Sequence, residues 1–298
     1  MKKAMKIVLI ILSLIILIVG YFYWKGYQLK KGYEANEIQY TKKRLPADIN
    51  FPKSIDSTLI SRGKRLSNTL HCTYCHGDLL QGRETEERVS PNLTKVRHQY
   101  SNAELVKAIR YGINKDGALI GGDMPSAESY YHLNDTDIKA IVAYIRSLPN
   151  LSNENIPSTY GNKNGTSIFD LIRGGYANVF LGWEPNVDEF VYSSPRPAYP
   201  SDGIMRYGQY LSQTHCARCH GENLSGENGY WETADLAVGA GYSLDQFERL
   251  LREGKALGDR DIGFMTKLAK GYLSHLTDSE IQAIHSYLKK RADSSREN

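Results

Sequence analysis

Cysteine is scarce in this chain: four residues in 298, too few for a disulfide-stapled scaffold. Methionine is hardly more plentiful. Of five, Met1 and Met5 belong to the N-terminal segment, which leaves Met124, Met205 and Met265. Sustained apolar–polar alternation is missing, so little of the chain reads as sheet. After Trp24 no apolar run is long enough to cross a bilayer. An excess of charge is missing too, once the N-terminus is set aside. The net charge is +4, but Lys2, Lys3, Lys6, Lys25, Lys30 and Lys31 have no acid beside them among residues 1–31, and without those six the remainder carries −2. That balance gives no case for nucleic-acid binding.

What is present starts at the N-terminus. Ile7 to Trp24 is almost purely apolar, broken only by Ser13 and Gly20, and follows three lysines. Such a run spans a bilayer as one helix. The basic flank is expected to stay cytoplasmic while the bulk of the chain is exported. Tyr21, Phe22, Tyr23 and Trp24 form an aromatic belt at the outer interface. A cleaved signal peptide is the competing reading. The run is long for one and no small-x-small cleavage site follows, so an uncleaved anchor over residues 7–24 is favoured.

The four cysteines fall in two pentapeptides, Cys72-Thr-Tyr-Cys75-His76 and Cys216-Ala-Arg-Cys219-His220. Cys-x-x-Cys-His is the attachment signature of c-type haem. Two thiols one helical turn apart can bond the two vinyl groups on one haem edge, and the next residue offers an imidazole to the iron. Glycine follows in both cases, Gly77 and Gly221. Competing readings are weaker. A zinc ribbon pairs its Cys-x-x-Cys units about 15–20 residues apart; here they lie in different halves of the chain. A thioredoxin-like pair needs a preceding strand, whereas Gly63 to His71 and Gly208 to His215 read as short helices. Disulfides do not explain the histidines. Two covalently bound haem c groups are therefore expected, and extracytoplasmic maturation agrees with the anchor.

The chain repeats itself around these motifs. Gly63-Lys-Arg-Leu-Ser67 and Gly208-Gln-Tyr-Leu-Ser212 open the copies. Pro91-Asn-Leu-Thr94 and Ala234-Asp-Leu-Ala237 follow the motifs. Ser101 with Glu104, and Ser243 with Gln246, read as capping boxes of a middle helix that ends at Gly112 or Gly254. Each copy then runs through a loop to Met124 or Met265. Leu133 to Ile141 matches Leu276 to Ile284 position by position and starts a last helix. Gly63 and Gly208 are expected to let the first helix approach the last closely. The expected fold class is all-α: two small haem domains in tandem behind one transmembrane helix. The expected segments are an anchor at 1–30, a linker at 31–58, domain one at 59–149, an interdomain strap at 150–202, domain two at 203–291 and a polar tail at 292–298. In the strap, Phe169 to Ile172 and Tyr176 to Phe180 are apolar enough to pack against a domain.

The residue opposite each histidine decides between electron transfer and chemistry. Met205 sits on the helix before its motif and cannot reach over the ring. Met124 and Met265 fall in register between middle and last helices, and their thioethers suit haem iron. His98 and His132 compete in copy one, His275 and His285 in copy two, without register between copies. His71 and His215 each precede a cysteine and read as local hydrogen-bonding or solvent-facing residues.

With these residues in place, the chain resembles class I cytochromes c in tandem, the di-haem type found as cytochrome subunits of membrane-bound quinoprotein dehydrogenases and in cytochrome c4-like proteins. Pro91-Asn-Leu-Thr94, Ala108-Ile-Arg-Tyr-Gly112, Met124-Pro125, Leu276-Thr-Asp-Ser-Glu280 and Tyr287-Leu288 carry the resemblance, over residues 59–149 and 203–291. Ala234 stands where copy one has Pro91, and Thr266 follows the second methionine. The resemblance implies haem bound at Cys72, Cys75, Cys216 and Cys219, with His76, Met124, His220 and Met265 as axial iron ligands and no catalytic residue. It implies a membrane-anchored carrier of single electrons outside the cytoplasmic membrane. The donor is then a dehydrogenase or quinol-oxidising complex, and the acceptor an oxidase or soluble cytochrome. The rival is an enzyme. A di-haem peroxidase needs one open haem site, and a thiosulfate-oxidising protein would use a fifth cysteine that the chain lacks.

Overall fold

A computed structural model describes residues 2–43, 51, 56–84, 88–116, 120, 124, 129–151, 161–162, 168–181, 203–227 and 232–296. Gly122, Asp123 and Pro125 beside the first methionine, and the proline-rich part of the strap at 193–200, lie outside the described residues.

Helix α1 (Lys2–Lys43) is one uninterrupted helix, so it continues well past the boundary expected at residue 30 into the segment read as linker. Its apolar side chains from Ile7 to Val19 are exposed among the described residues. No proline or glycine cluster breaks Lys25 to Lys43, and helix-favouring residues extend it.

Domain one is built from α2 (Ser57–Thr69), α3 (Cys72–His76), α4 (Leu93–Val96), α5 (Asn102–Tyr111) and α6 (Asp135–Ser147). Asp56 caps α2 by accepting from the Leu59 amide at 2.7 Å. The expected box at Ser101 and Glu104 forms on α5, and left-handed Gly112 ends that helix. Leu66, Leu70, Leu105, Val106, Ile109, Ile138, Ile141 and Ile145 make one buried core. Domain two repeats this with α8 (Ile204–His215), α9 (Ala217–His220), α10 (Leu244–Glu253), α11 (Phe264–Gly271) and α12 (Asp278–Arg296). Its core gathers Leu211, Leu224, Phe247, Leu251, Leu273, Ile281, Ile284 and Leu288. Helix α12 carries on to Arg296 and buries Ala292, so the expected polar tail is largely helix.

In both domains the first helix crosses the last at glycine. A Cβ on Gly63 would lie 1.9 Å from the Ala140 carbonyl oxygen, and one on Gly208 would lie 2.0 Å from that of Ala283. An arginine two residues before the glycine that ends each middle helix then clips the start of the last helix. Arg110 donates to the Leu133 carbonyl at 2.7 Å and pairs with Asp135 at 2.9 Å; Arg252 donates to the Leu276 carbonyl at 3.1 Å and pairs with Asp278.

Three short strands, β1 (Arg83–Glu84), β2 (Arg88–Ser90) and β3 (Gly161–Asn162), form a small antiparallel sheet beside domain one. Its third strand comes from the strap, which is also tied down where it begins: the Leu151 amide donates to Thr94 Oγ1 at 3.0 Å. Helix α7 (Ile168–Leu181) carries both apolar stretches of the strap. They do not pack on a haem domain as expected. They pack on α1, where Phe22 meets Tyr176 and Phe180.

The two domains meet through a network with approximate twofold symmetry. Asp137 and Glu280 hold equivalent places on the last helices, and both side chains are buried. Each takes one donor from the first helix of its own domain: Arg62 Nε at 2.7 Å for Asp137, Tyr207 Oη at 3.2 Å for Glu280. Each takes another from the first helix of the other domain. Tyr210 Oη donates to Asp137 at 2.5 Å, and Arg65 grips both Glu280 oxygens at 2.6 and 2.9 Å. A buried carboxylate is tolerable only when so fully paired.

Candidate functional site

In copy one, Leu70 caps the end of α2 and His71 takes a left-handed conformation (φ 62°), which starts α3 at Cys72. In copy two, Cys216 ends α8 and caps α9. Each short helix puts its two cysteines one turn apart, with the histidine at its last position. None of the four cysteines forms a disulfide. Burial pushes the Cys72 and Cys216 thiols up to about 12. That is the opposite of the depressed thiol of a redox-active pair. Among the described residues no three of His, Cys, Asp or Glu gather to hold a bare metal ion, so the pairs do not build one zinc site.

His76 Nδ1 lies 3.0 Å from the Pro91 carbonyl, and His220 Nδ1 lies 2.8 Å from the Ala234 carbonyl. A carbonyl only accepts, so Nδ1 carries the proton in both and Nε2 keeps its lone pair. Burial holds both imidazoles below the usual histidine range, against the opposing pull of these carbonyl bonds. Both are therefore neutral, as an iron ligand must be. The contact is made by backbone, so alanine serves as well as proline at position 234.

A loop of identical design supports each histidine. Gly77 and Gly221 have φ of 82° and 76°, and Leu80 and Leu224 are left-handed at 56° and 58°. The Gly82 amide donates to the His76 carbonyl at 2.7 Å, and that of Gly226 to the His220 carbonyl at 2.9 Å. Leu80 and Leu224 are fully buried. Sequence reasoning passed over this loop, though Gly77-Asp-Leu-Leu-Gln-Gly82 and Gly221-Glu-Asn-Leu-Ser-Gly226 display it as a shared Gly-x-x-Leu-x-Gly. It also missed Tyr130, whose hydroxyl donates to the Leu70 carbonyl at 2.5 Å and lies 3.9 Å from Cys72 Sγ. Leu273 replaces it in copy two, so the repeat gives no signal there.

Met124 and Met265 each lie half-buried against the core of their own domain. Met265 stands on the first turn of α11, a helix between loop and last helix that the sequence reading did not anticipate. Thr266 fixes that turn by donating to the Gly254 carbonyl and accepting from the Ile262 amide, both at 2.9 Å. The competing histidines are placed elsewhere. His98 is bonded to Asn150 at 2.7 Å, and His285 is buried against Phe247 with Nε2 on the Tyr242 carbonyl at 2.8 Å. His275 is exposed and His132 packs beside Tyr131.

The two cysteine helices lie close to the domain interface. His71 and Tyr74 of copy one both contact the Tyr272 ring of domain two, at 4.9 and 6.0 Å between centroids. His215 Nε2 lies 3.2 Å from Thr69 Oγ1 in the other direction. Burial, then the neighbouring His215 and Arg218, push His71 down to about 4. Neither histidine is solvent-facing: both look into the opposite domain.

A family model for cytochrome c matches residues 60–149 and 205–292. The gluconate 2-dehydrogenase cytochrome c subunit of Pantoea cypripedii is 26% identical over 275 residues, covering 78% of this chain and 60% of that one. The fructose dehydrogenase cytochrome subunit of Gluconobacter japonicus is 24% identical over 278 residues, covering 80% and 54%. The cytochrome c subunit of the quinone alcohol dehydrogenase of Gluconobacter oxydans is 25% identical over 279 residues, covering 78% and 55%. The chain thus spans little more than half the length of these relatives.

Proposed function

The chain belongs to the cytochrome c family, with two such domains and two covalently bound haem c groups, and on that footing we propose that it is a membrane-anchored electron-transfer subunit serving a dehydrogenase. Cys72 and Cys75 hold one haem by thioether bonds, Cys216 and Cys219 the other. His76 and His220 would supply nitrogen ligands to the iron, and Met124 and Met265 sulfur ligands. Haem c, when bound, supplies reversible one-electron chemistry at its iron; the protein sets potential and solvent access.

The observation that carries this reading is the pair of imidazoles, each at the end of a Cys-x-x-Cys turn with Nδ1 tied to a backbone carbonyl. That bond fixes the tautomer, aims Nε2 and raises its basicity. Buried leucines and isoleucines pack against the first cysteine of each motif. Helix α1 holds the protein at the cytoplasmic membrane with both domains on the outer side. There it receives electrons from a dehydrogenase or quinol-oxidising partner and passes them to an oxidase or soluble cytochrome. The relatives' own association with sugar and alcohol dehydrogenases supports a partner of that class.

Optical and magnetic spectra of the purified protein test the assignment. Two low-spin ferric haems with sulfur–nitrogen ligation support it. A high-spin ferric haem that binds cyanide readily would show an open site and replace the carrier with an enzyme.

A further inference from the structure

The strap helix α7 packs on α1, and its contacts fix where it lies along that helix. A Cβ on Gly26 would lie 1.8 Å from the Leu171 carbonyl oxygen, and one on Gly175 would lie 2.0 Å from that of Phe22. The two backbones therefore touch at glycines, the device by which helices pack closely in lipid. As α7 advances from Leu171 to Gly175, its partner on α1 moves back from Gly26 to Phe22, so the helices run antiparallel. The charges then line up. The last charged residue of α7, Arg173, falls at the level of Trp24 and Lys25, where the charge-free run of α1 ends. Beyond Arg173 the segment Gly174-Gly-Tyr-Ala-Asn-Val-Phe-Leu181 carries no charge, like the part of α1 it lies beside. At 1.5 Å per residue, Leu181 lies about 9 Å deeper along α1 than Gly175. Its side chain and that of Phe180 are 74% and 62% exposed, with little of the protein against them.

We propose that the C-terminal half of α7 is embedded in the outer leaflet beside the anchor, as a second lipid contact. This rests on the reading of α1 as a membrane span. If α1 spans, the space beside Ile16 and Leu17 is hydrocarbon, and Phe180 and Leu181 lie at that level. Entry to such a shallow depth matches interfacial helices, which sink about 5–10 Å below the headgroups. The second contact, tied through the strap to domain one, fixes how the haem domains are held against the membrane, which one helix alone leaves free to swivel.

The test uses the full-length haem protein in phosphatidylethanolamine–phosphatidylglycerol vesicles. Phe180→Cys, Ile16→Cys and Lys290→Cys variants are each spin-labelled, and collision with oxygen is compared with collision with a water-soluble nickel chelate. Ile16 reports on the anchor and Lys290 on water. The proposal expects Phe180 to match Ile16, with an oxygen preference several-fold above that of Lys290. A lipid-like Ile16 with a water-like Phe180 overturns the proposal and leaves the anchor standing. A Phe180 label reached by neither probe overturns it in favour of cover by a second copy of the chain. Water-like readings at both Ile16 and Phe180 overturn the span itself, and the proposal with it.

Discussion

Glu280 shows how a single side chain couples charge to assembly. Burial alone would raise its carboxyl; the Arg65 guanidinium and the Thr277 amide more than offset this and hold it below the ordinary carboxylate range. His215 and Tyr207 are the other titratable groups facing it. The unfolded chain therefore takes up a proton at Glu280 at higher pH than the folded chain does. Its contribution to stability is complete above the ordinary glutamate value of 4.5 and drains away as the pH falls through the lower folded one. Denaturant unfolding of the haem protein between pH 7 and pH 3 is expected to show a steeper acid loss than in Glu280→Gln. Arg65→Ala strands the carboxylate. Breaking a buried pair costs about 3–5 kcal/mol, and the partial exposure of Arg65 puts this one near the lower end. A midpoint unchanged in Arg65→Ala would show that the pair contributes nothing to folding. At the haem sites, Met124→Ala and Met265→Ala are each expected to lower the potential of one haem and admit carbon monoxide to its ferrous form. Redox titration and carbon monoxide difference spectra decide it; a Met265→Ala protein with neither change would remove Met265 as a ligand.

At the scale of elements, the first and last helices of each domain cross with their backbones in close approach at glycine. No side chain fits at Gly63 or Gly208, because the obstructing atom is backbone oxygen and cannot swing aside. Gly63→Ala and Gly208→Ala are expected to force α2 from α6 and α8 from α12, at a cost of about 1–3 kcal/mol or more. The damage should stay in the mutated domain, since each crossing has its own core. Differential scanning calorimetry, with haem content measured on each half after limited proteolysis, checks this. Equal loss from both halves would mean that the interface, rather than the crossing, limits stability.

For the whole molecule, neither buried core includes a residue of α1. Removing residues 1–31 behind a cleavable export signal is therefore expected to leave a two-haem protein with unchanged spectra, measured as haem per polypeptide by pyridine haemochrome. Loss of haem from either domain would make the anchor part of the fold. The same deletion uncovers the glycine face of α7, so the shortened protein should still partition partly to vesicles.

The sequence alone determined whatever depends on neighbours along the chain. Cys-x-x-Cys-His needs only one helical turn to place two thiols and an imidazole. Ser101 with Glu104 and Ser243 with Gln246 need only the first turn of a helix to close a capping box. The apolar run Ile7 to Trp24 needs no partner to declare itself, and comparing the two copies found the in-register methionines and the crossing glycines. Tertiary structure decided what joins distant parts. Arg65 and Glu280 are 215 positions apart, and arginine opposite tyrosine in the repeat looks like divergence until both are seen to donate to equivalent carboxylates. The apolar faces of α7 announced burial but not their partner, because an apolar surface is satisfied by any other apolar surface and carries no address. Glycines at the two contact points, Gly26 and Gly175, let the backbones of α1 and α7 approach closely enough to touch.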